Sequence, residues 1–436
     1  MEFADIFVGT LHREGVTEGA ILLHVSGIKW RRSRREYDIA RCRGLSGVKC
    51  DGVRAMLGGL AGLGGCAVKP VTPRTSLPIE DVPPPLAPIR AHKDRIFDIT
   101  VCLRPFRAQG PRLETEMLGD TLVVHNYGHG GSGWSLSWGS GAIAVQKALA
   151  TSPRLVAVIG CGALGLTSAI LAQRAGVQVT IYCKDLVQQA RSARATGSWT
   201  PDSRIALTQD AGPQFGVLWE QMAGTSWKTY RSYLGLAGNP VQFADRYNLS
   251  DIPFAQAHEK AEALNTMGFA SYMDRIADIT AHPQVLPPGA NPFPVPYVRR
   301  STGLQFNIHD YAHQLLNDFR LAGGQIVMRE FHAPGEFTQL KEKVVINCTG
   351  YGARALWKDE SIVPVRGQVG WLLPQPEVNY GLYYRDVSVV SRTDGIVVQS
   401  IAGGDLQGYK DSNETVSRAE TDQAVGVIEE LYSRMT

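Results

Sequence analysis

An apolar strand that runs into a glycine turn and then a helix leaves few folds open. Leu155–Ile159 (LVAVI) leads into Gly160-Cys161-Gly162-Ala163-Leu164-Gly165, residues 163–175 carry helical spacing, and 177–182 form a second apolar run. Apolar strands separated by one helix pair in parallel, so this stretch is a βαβ unit of a layered α/β fold. In the GxGxxG pattern Gly160 permits the tight turn and Gly162 lets main chain approach a pyrophosphate. Gly165 lets the helix pack on the strand. The helix N-terminus, at Ala163 and Leu164, supplies free N–H groups and partial positive charge. The pattern points to a dinucleotide without choosing between the nicotinamide and flavin kinds, and a bare strand-to-helix turn would look the same. Where a ribose-binding acid is expected stands Cys183, followed by Lys184 and Asp185, so the acid is displaced.

Composition narrows the classes. With 436 residues, 44% hydrophobic and 19% charged, the chain can bury a large core and is not a disordered one. A net charge of +3 without long basic runs gives no nucleic-acid footprint, which leaves small-molecule chemistry. The seven cysteines show no CxxC spacing, which argues against a zinc site or a disulfide framework; no metal is expected. No apolar run reaches the ~20 residues of a membrane span. Residues 55–67 (AMLGGLAGLGGCA) follow Arg54 and are similar to the apolar region and lipobox of a bacterial lipoprotein signal, with Cys66 as the lipid-bearing residue. The 54 residues that precede them count against an export signal unless the start lies further on, and a plain glycine-rich leader is the equal alternative. The two readings place the protein in the bacterial cytoplasm or export it on a lipid anchor.

Residues 70–88 (PVTPRTSLPIEDVPPPLAP) form an extended proline-rich linker, so 1–88 is expected as a poorly ordered leader and linker. Beyond it, strands are expected from Arg95 (RIFDITVCL) and over 121–125, 344–347, 368–372 and 395–399. Helices are expected over 142–149, 310–321 and 417–432.

His125-Asn126-Tyr127-Gly128-His129-Gly130-Gly131-Ser132-Gly133-Trp134-Ser135 resembles the glycine-rich signature of the D-amino-acid oxidase family. The resemblance implies FAD as cofactor, with Gly130, Gly131, Ser132, Gly133, Trp134 and Ser135 beside it. So little side-chain bulk lets main-chain N–H groups reach a planar ring and stabilise negative charge on it. Cys102-Leu103-Arg104-Pro105-Phe106-Arg107 is similar to the family's strand that carries the substrate-carboxylate arginine, here Arg104, whose planar fork suits that anion. By the same resemblance Lys184 and Asp185 lie at the adenosine ribose, and Ser192, Thr196, Gly197 and Ser198 along the pyrophosphate and flavin. Phe331 falls on the adenine side and Thr349 at a cofactor contact.

The implied architecture is a Rossmann-like FAD-binding domain (107–207 with 301–365) interleaved with an α+β substrate domain on a mixed or antiparallel sheet (89–106, 208–300 and 366–436). The implied reaction is oxidation of a D-amino acid to a 2-oxo acid, ammonia and hydrogen peroxide, with the amino acid and oxygen as small-molecule partners. Hydride leaves the α-carbon for flavin while Arg104, Tyr384 and main chain near Gly131 hold the substrate and ring. His125 and His129 are loop-supporting residues and not bases.

Two departures from the family stand out. The glycine-rich segment precedes the nucleotide strand here and closes the chain in the family, as in a circular permutation; Met435 and Arg95 should then be neighbours. Where the family presents two tyrosines, alignment of Leu382-Tyr383-Tyr384-Arg385 gives Tyr384 and then Ser388, with Tyr383 as a register-shifted substitute. Rival readings are a flavin amine oxidase or dehydrogenase for glycine-like, secondary or acidic amines, and an FAD-binding protein without turnover. Oligomeric state is not fixed by the sequence.

Overall fold

The computed structural model describes residues 86–287 and 289–435 in full and, before them, the backbone of two short strands. Those strands, β1 (Ile21–Val25) and β2 (Ile28–Arg32), pair antiparallel as a ribbon of their own, in a stretch without strand periodicity. The rest of the expected leader up to residue 85, with the proposed lipid-bearing Cys66, lies outside the described residues, whereas residues 86–88 of it are described.

From residue 86 the chain forms β3 (Ile96–Phe106), β4 (Thr115–Leu118), β5 (Thr121–His125), α1 (Gly133–Ala148), β6 (Leu155–Ile159), α2 (Ala163–Arg174) and β7 (Gln178–Cys183). It continues through α3 (Phe215–Tyr230), β8 (Val241–Ser250), α4 (Phe254–Leu264), β9 (Gln284–Leu286), β10 (Tyr297–Phe306), α5 (Ile308–Leu321), β11 (Gln325–Met328) and β12 (Val344–Asn347). Last come α6 (Ala353–Leu356), β13 (Val363–Leu372), β14 (Tyr380–Tyr384), β15 (Val387–Arg392), β16 (Gly395–Ser400) and α7 (Arg418–Ser433).

The six-stranded sheet runs β11-β7-β6-β12-β5-β4, parallel except for β4. β6–α2–β7 is the expected βαβ unit of a Rossmann-like fold, and β6 is buried from Val156 to Ile159, which is why its sequence is continuously apolar rather than alternating. α1 starts at Gly133, earlier than residue 142. Glycine and serine make GWSLSWGSG a weak helix former, but tertiary contacts decide: Trp138 is buried and its Nε1 donates to Tyr311 Oη at 2.7 Å. Gly139 is required by packing, since a Cβ there would stand 2.1 Å from the Met222 carbonyl oxygen of α3.

The eight-stranded sheet runs β3-β13-β16-β15-β14-β8-β10-β9 and is antiparallel apart from the β14–β8 pair. α7 covers one of its faces. There Gln368 donates to Thr421 Oγ1 at 3.0 Å, and Gly370 leaves room for the Thr421 methyl. Side chains of opposite parity on β13, among them Gly367 and Val369, face away from α7. Residues 87–93 run along α7: Ala87 O accepts from Tyr380 Oη, which also bonds Tyr432 Oη, His92 pairs with Glu429 at 2.8 Å, and Lys93 O accepts from Arg418. Ile96 and Met435 pack against one apolar cluster beneath this helix.

Candidate active site

A cleft opens where the carboxyl ends of β6, β7 and β12 face β3 and β13, the position at which open α/β sheets bind ligands. Gly160, Gly162, Ala163 and Leu164 line it, and Lys184, Asp185, Ser192, Thr196 and Thr349 surround that turn. Gly130, Gly131, Gly133, Trp134 and Arg104 line it as well. Segments far apart in sequence therefore converge on one space.

The other residues singled out in the sequence brace the cleft from outside its lining. A Cβ on Gly165 would fall 1.9 Å from Gly160 O, so the missing side chain is what seats α2 on its strand. Ser132 donates to Ser203 O at 3.1 Å, and Ser135 Oγ accepts from Thr200 N at 2.8 Å. Gly197 has φ +96° with Phe306 O 2.5 Å from the place of a Cβ. Ser198 accepts from the Arg246 guanidinium, and Phe331 packs edge-on against Tyr182 and Phe337.

The residues present fit a dinucleotide. Gly160 has φ +105°, and a Cβ there would meet Cys348 O at 2.6 Å, so bare main chain forms the floor. Ala163 N–H, at the free end of α2, finds only Ser192 Oγ at 3.3 Å. Lys184, Arg191 and Arg194 bring cationic groups to the lining, Lys184 paired with Glu330 and both arginines with Glu414. Arg191 Nε is buried without a partner. A pyrophosphate would satisfy these donors.

The two histidines of the glycine-rich segment differ. His125 Nε2 lies 3.0 Å from Glu116 Oε2 and its Nδ1 3.2 Å from Asn347 Nδ2, as befits a residue that supports the loop. Burial and the nearby Arg112 hold its pKa below the usual value. His129 lines the cleft at 1% exposure, neither ring nitrogen has a partner, and burial pushes its pKa down to about 3.

Arg104 projects from β3 across Gly367, where a Cβ would be 2.2 Å from Nη1. Its guanidinium makes no ion pair among the described residues; Nη1 donates to Arg366 O at 3.3 Å, and burial lowers its pKa. It also lines an adjoining cleft with Gln399 and Ser400.

Tyr384 is not beside it. Through the register, Gly370 on the α7 face pairs with Val398, Val398 with Val389, and Val389 with Leu382, so Leu382 and Tyr384 share the α7 face. Tyr384 is fully buried there, donating to Asp251 at 3.1 Å and accepting from Arg434 at 2.7 Å. Strand alternation corrects the assignment: Tyr383 is on the Arg104 side, opposite Ser388, which pairs in turn with Gln399. Tyr383 Oη donates to Asp386 at 2.9 Å, and burial with that carboxylate raises its pKa.

Arg191, Arg194, Tyr351, Gly367 and Val369 also line the cleft and were not picked out as site residues. The period-two alternation of β13 could have flagged Val369 once Gly367 was placed. Arg191, stacked on Tyr351 at 5.3 Å and paired with Glu414, carries no local signal.

Residues 156–435, more than half of the chain, match the FAD dependent oxidoreductase family. The chain belongs to that family, and its cofactor is FAD. It is similar to a D-amino-acid oxidase of Rubrobacter xylanophilus, 28% identical over 220 residues that cover 49% of this chain and 57% of that one. A D-amino-acid oxidase of Streptomyces coelicolor is 27% identical over 218 residues, covering 49% and 58%. The match thus spans less than two thirds of the length of these relatives. Among solved structures, glycine oxidase from Geobacillus kaustophilus superposes with a TM-score of 0.45 at 14% identity, covering 64% of this chain and 77% of that one. Among the described residues no helix is long and apolar enough to cross a membrane.

Proposed function

We propose that the protein oxidises a D-amino acid with oxygen and water to a 2-oxo acid, ammonia and hydrogen peroxide. The observation that carries this reading is Arg104, a buried guanidinium without a carboxylate partner among the described residues, at one end of a cleft that fits FAD. Such a fork takes a carboxylate in two parallel hydrogen bonds. FAD, when bound, supplies the hydride acceptor and passes the electrons to oxygen. The chain's own residues bind and orient: Arg104 holds the carboxylate, Tyr383 is the phenol on its side of the sheet, and Gly131 and Gly133 keep bulk away from the ring. The remaining cofactor contacts are assigned to Gly160, Gly162, Ala163, Leu164, Lys184, Asp185, Ser192, Thr196, Thr349 and Trp134. No side-chain base is required by this route.

The chain order is also proposed to be a circular permutation. The family match begins at Val156 in β6, while β5 and the glycine-rich segment precede it and lie beside β12. On this view β3 to α1 is the transposed piece, and the two sheets correspond to an FAD lobe and a substrate lobe.

The test is an anaerobic titration of the purified yellow protein with D- and L-amino acids, followed at the flavin absorbance. Bleaching by D-isomers alone is expected. A flavin bleached by L-isomers, by other amines only or by nothing overturns the substrate assignment.

A further inference from the structure

A buried polar group without a partner is costly, and most native ones are satisfied by something. His129 carries two such atoms on one ring. The residue cannot easily turn elsewhere. Its main chain bridges to Phe106, its carbonyl accepts from Ser132 N at 2.9 Å, and the next residue's N–H is fixed on Pro105 O at 2.9 Å. The ring is therefore held in the cleft wall, which Gly130, Gly131 and Arg104 also line. His125, in the same segment, shows the contrast: both of its nitrogens have protein partners within 3.2 Å.

We propose that His129 is a direct ligand of the cofactor, its imidazole hydrogen-bonding the polar edge of the flavin ring. A neutral imidazole presents one donor and one acceptor, and the ring edge of a flavin offers both carbonyl acceptors and an N–H donor. Burial keeps the imidazole uncharged, so the contact is that of a neutral group and brings no positive charge to the ring. Arg104 is left as the cation for the substrate, and His129 acts as a positioning residue for the cofactor.

The inference rests on FAD as cofactor and not on the substrate reading. A protein that binds FAD tightly but is not bleached by D-amino acids sinks the second and leaves the first intact. The experiment measures the FAD dissociation constant and the visible absorption bands of the full chain for wild type, His129→Leu and His129→Gln. Replacing the ring by an apolar side chain strands the flavin's polar atoms, and about 10- to 100-fold weaker FAD binding with a shifted flavin band is expected. Glutamine, which keeps one donor and one acceptor, should return the affinity to within about threefold of wild type. If His129→Leu binds FAD as tightly as wild type with an unmoved spectrum, the proposal is overturned. It is equally overturned if both variants lose affinity in proportion to lost thermal stability, because the role is then structural. Should His129→Leu not fold, His129→Gln is compared with His129→Asn, whose shorter amide cannot reach the ring; equal affinities for the two count against the contact.

Discussion

Lowering the pH from about 7.5 to about 5 should weaken the fold through His129 by a calculable amount. In an unfolded chain its imidazole titrates near 6.5, whereas burial in the cleft wall lowers the folded value to about 3. The native state therefore binds fewer protons than the unfolded one between these values, so stability is fully present above the unfolded pKa and is lost as pH falls toward the folded one. Integrated to below pH 3 the contribution is about 5 kcal/mol, and at pH 5 about 2 kcal/mol of it is already gone. The assay is a urea titration with FAD in fixed excess at both pH values, on wild type and His129→Asn. Every other titrating group, His125 included, is common to both proteins and cancels in the double difference. Wild type should lose about 2 kcal/mol more than the variant on acidification. Equal losses would refute the reasoning, because they would mean that the folded protein protonates His129 as readily as the unfolded chain does.

Three further outcomes are expected. Arg104→Ala should raise the KM for a D-amino acid about 100-fold or more while FAD stays bound, and loss of flavin on purification would count against its assignment to substrate. Tyr383→Phe should raise KM with little change in thermal stability. Tyr384→Phe should leave the kinetics unchanged and cost about 1–3 kcal/mol in urea titrations, through its lost bonds to Asp251 and Arg434; the reverse pattern would mean the sheet face has been misassigned. Gly165→Ala, which drives a Cβ to 1.9 Å from Gly160 O, should displace α2 and weaken FAD binding at least tenfold, as judged by equilibrium dialysis.

The parts of the fold that sequence reveals are those where local chemistry and tertiary structure agree. β6, β5 and β12 fall at Leu155–Ile159, Thr121–His125 and Val344–Asn347, as their apolar runs indicate, and the glycine turn opens α2 at Ala163. The start of α1 is hidden because its glycines serve helix-to-helix contact rather than helix propensity. Tyr383 and Tyr384 could not be told apart, since adjacent tyrosines on a strand buried on both faces give no parity signal. Only the register through β15 and β16 to α7 settles which one faces Arg104. His129 was legible as part of a motif, but its lack of partners is a three-dimensional fact.

β12 sits between β5 and β6, pairing Val345 with Val123 on one side and with Ala157 on the other. It is thus the wedge that joins two halves of the nucleotide sheet made much earlier in synthesis. A ribosome must release residue 347 before Gly131 and Gly160 can stand on a common floor. Until then the emerging chain holds unpaired parallel strand edges, a state prone to self-association. Parallel pairings so distant in sequence close slowly. The cleft is therefore complete only once β12 has been made and has paired on both edges.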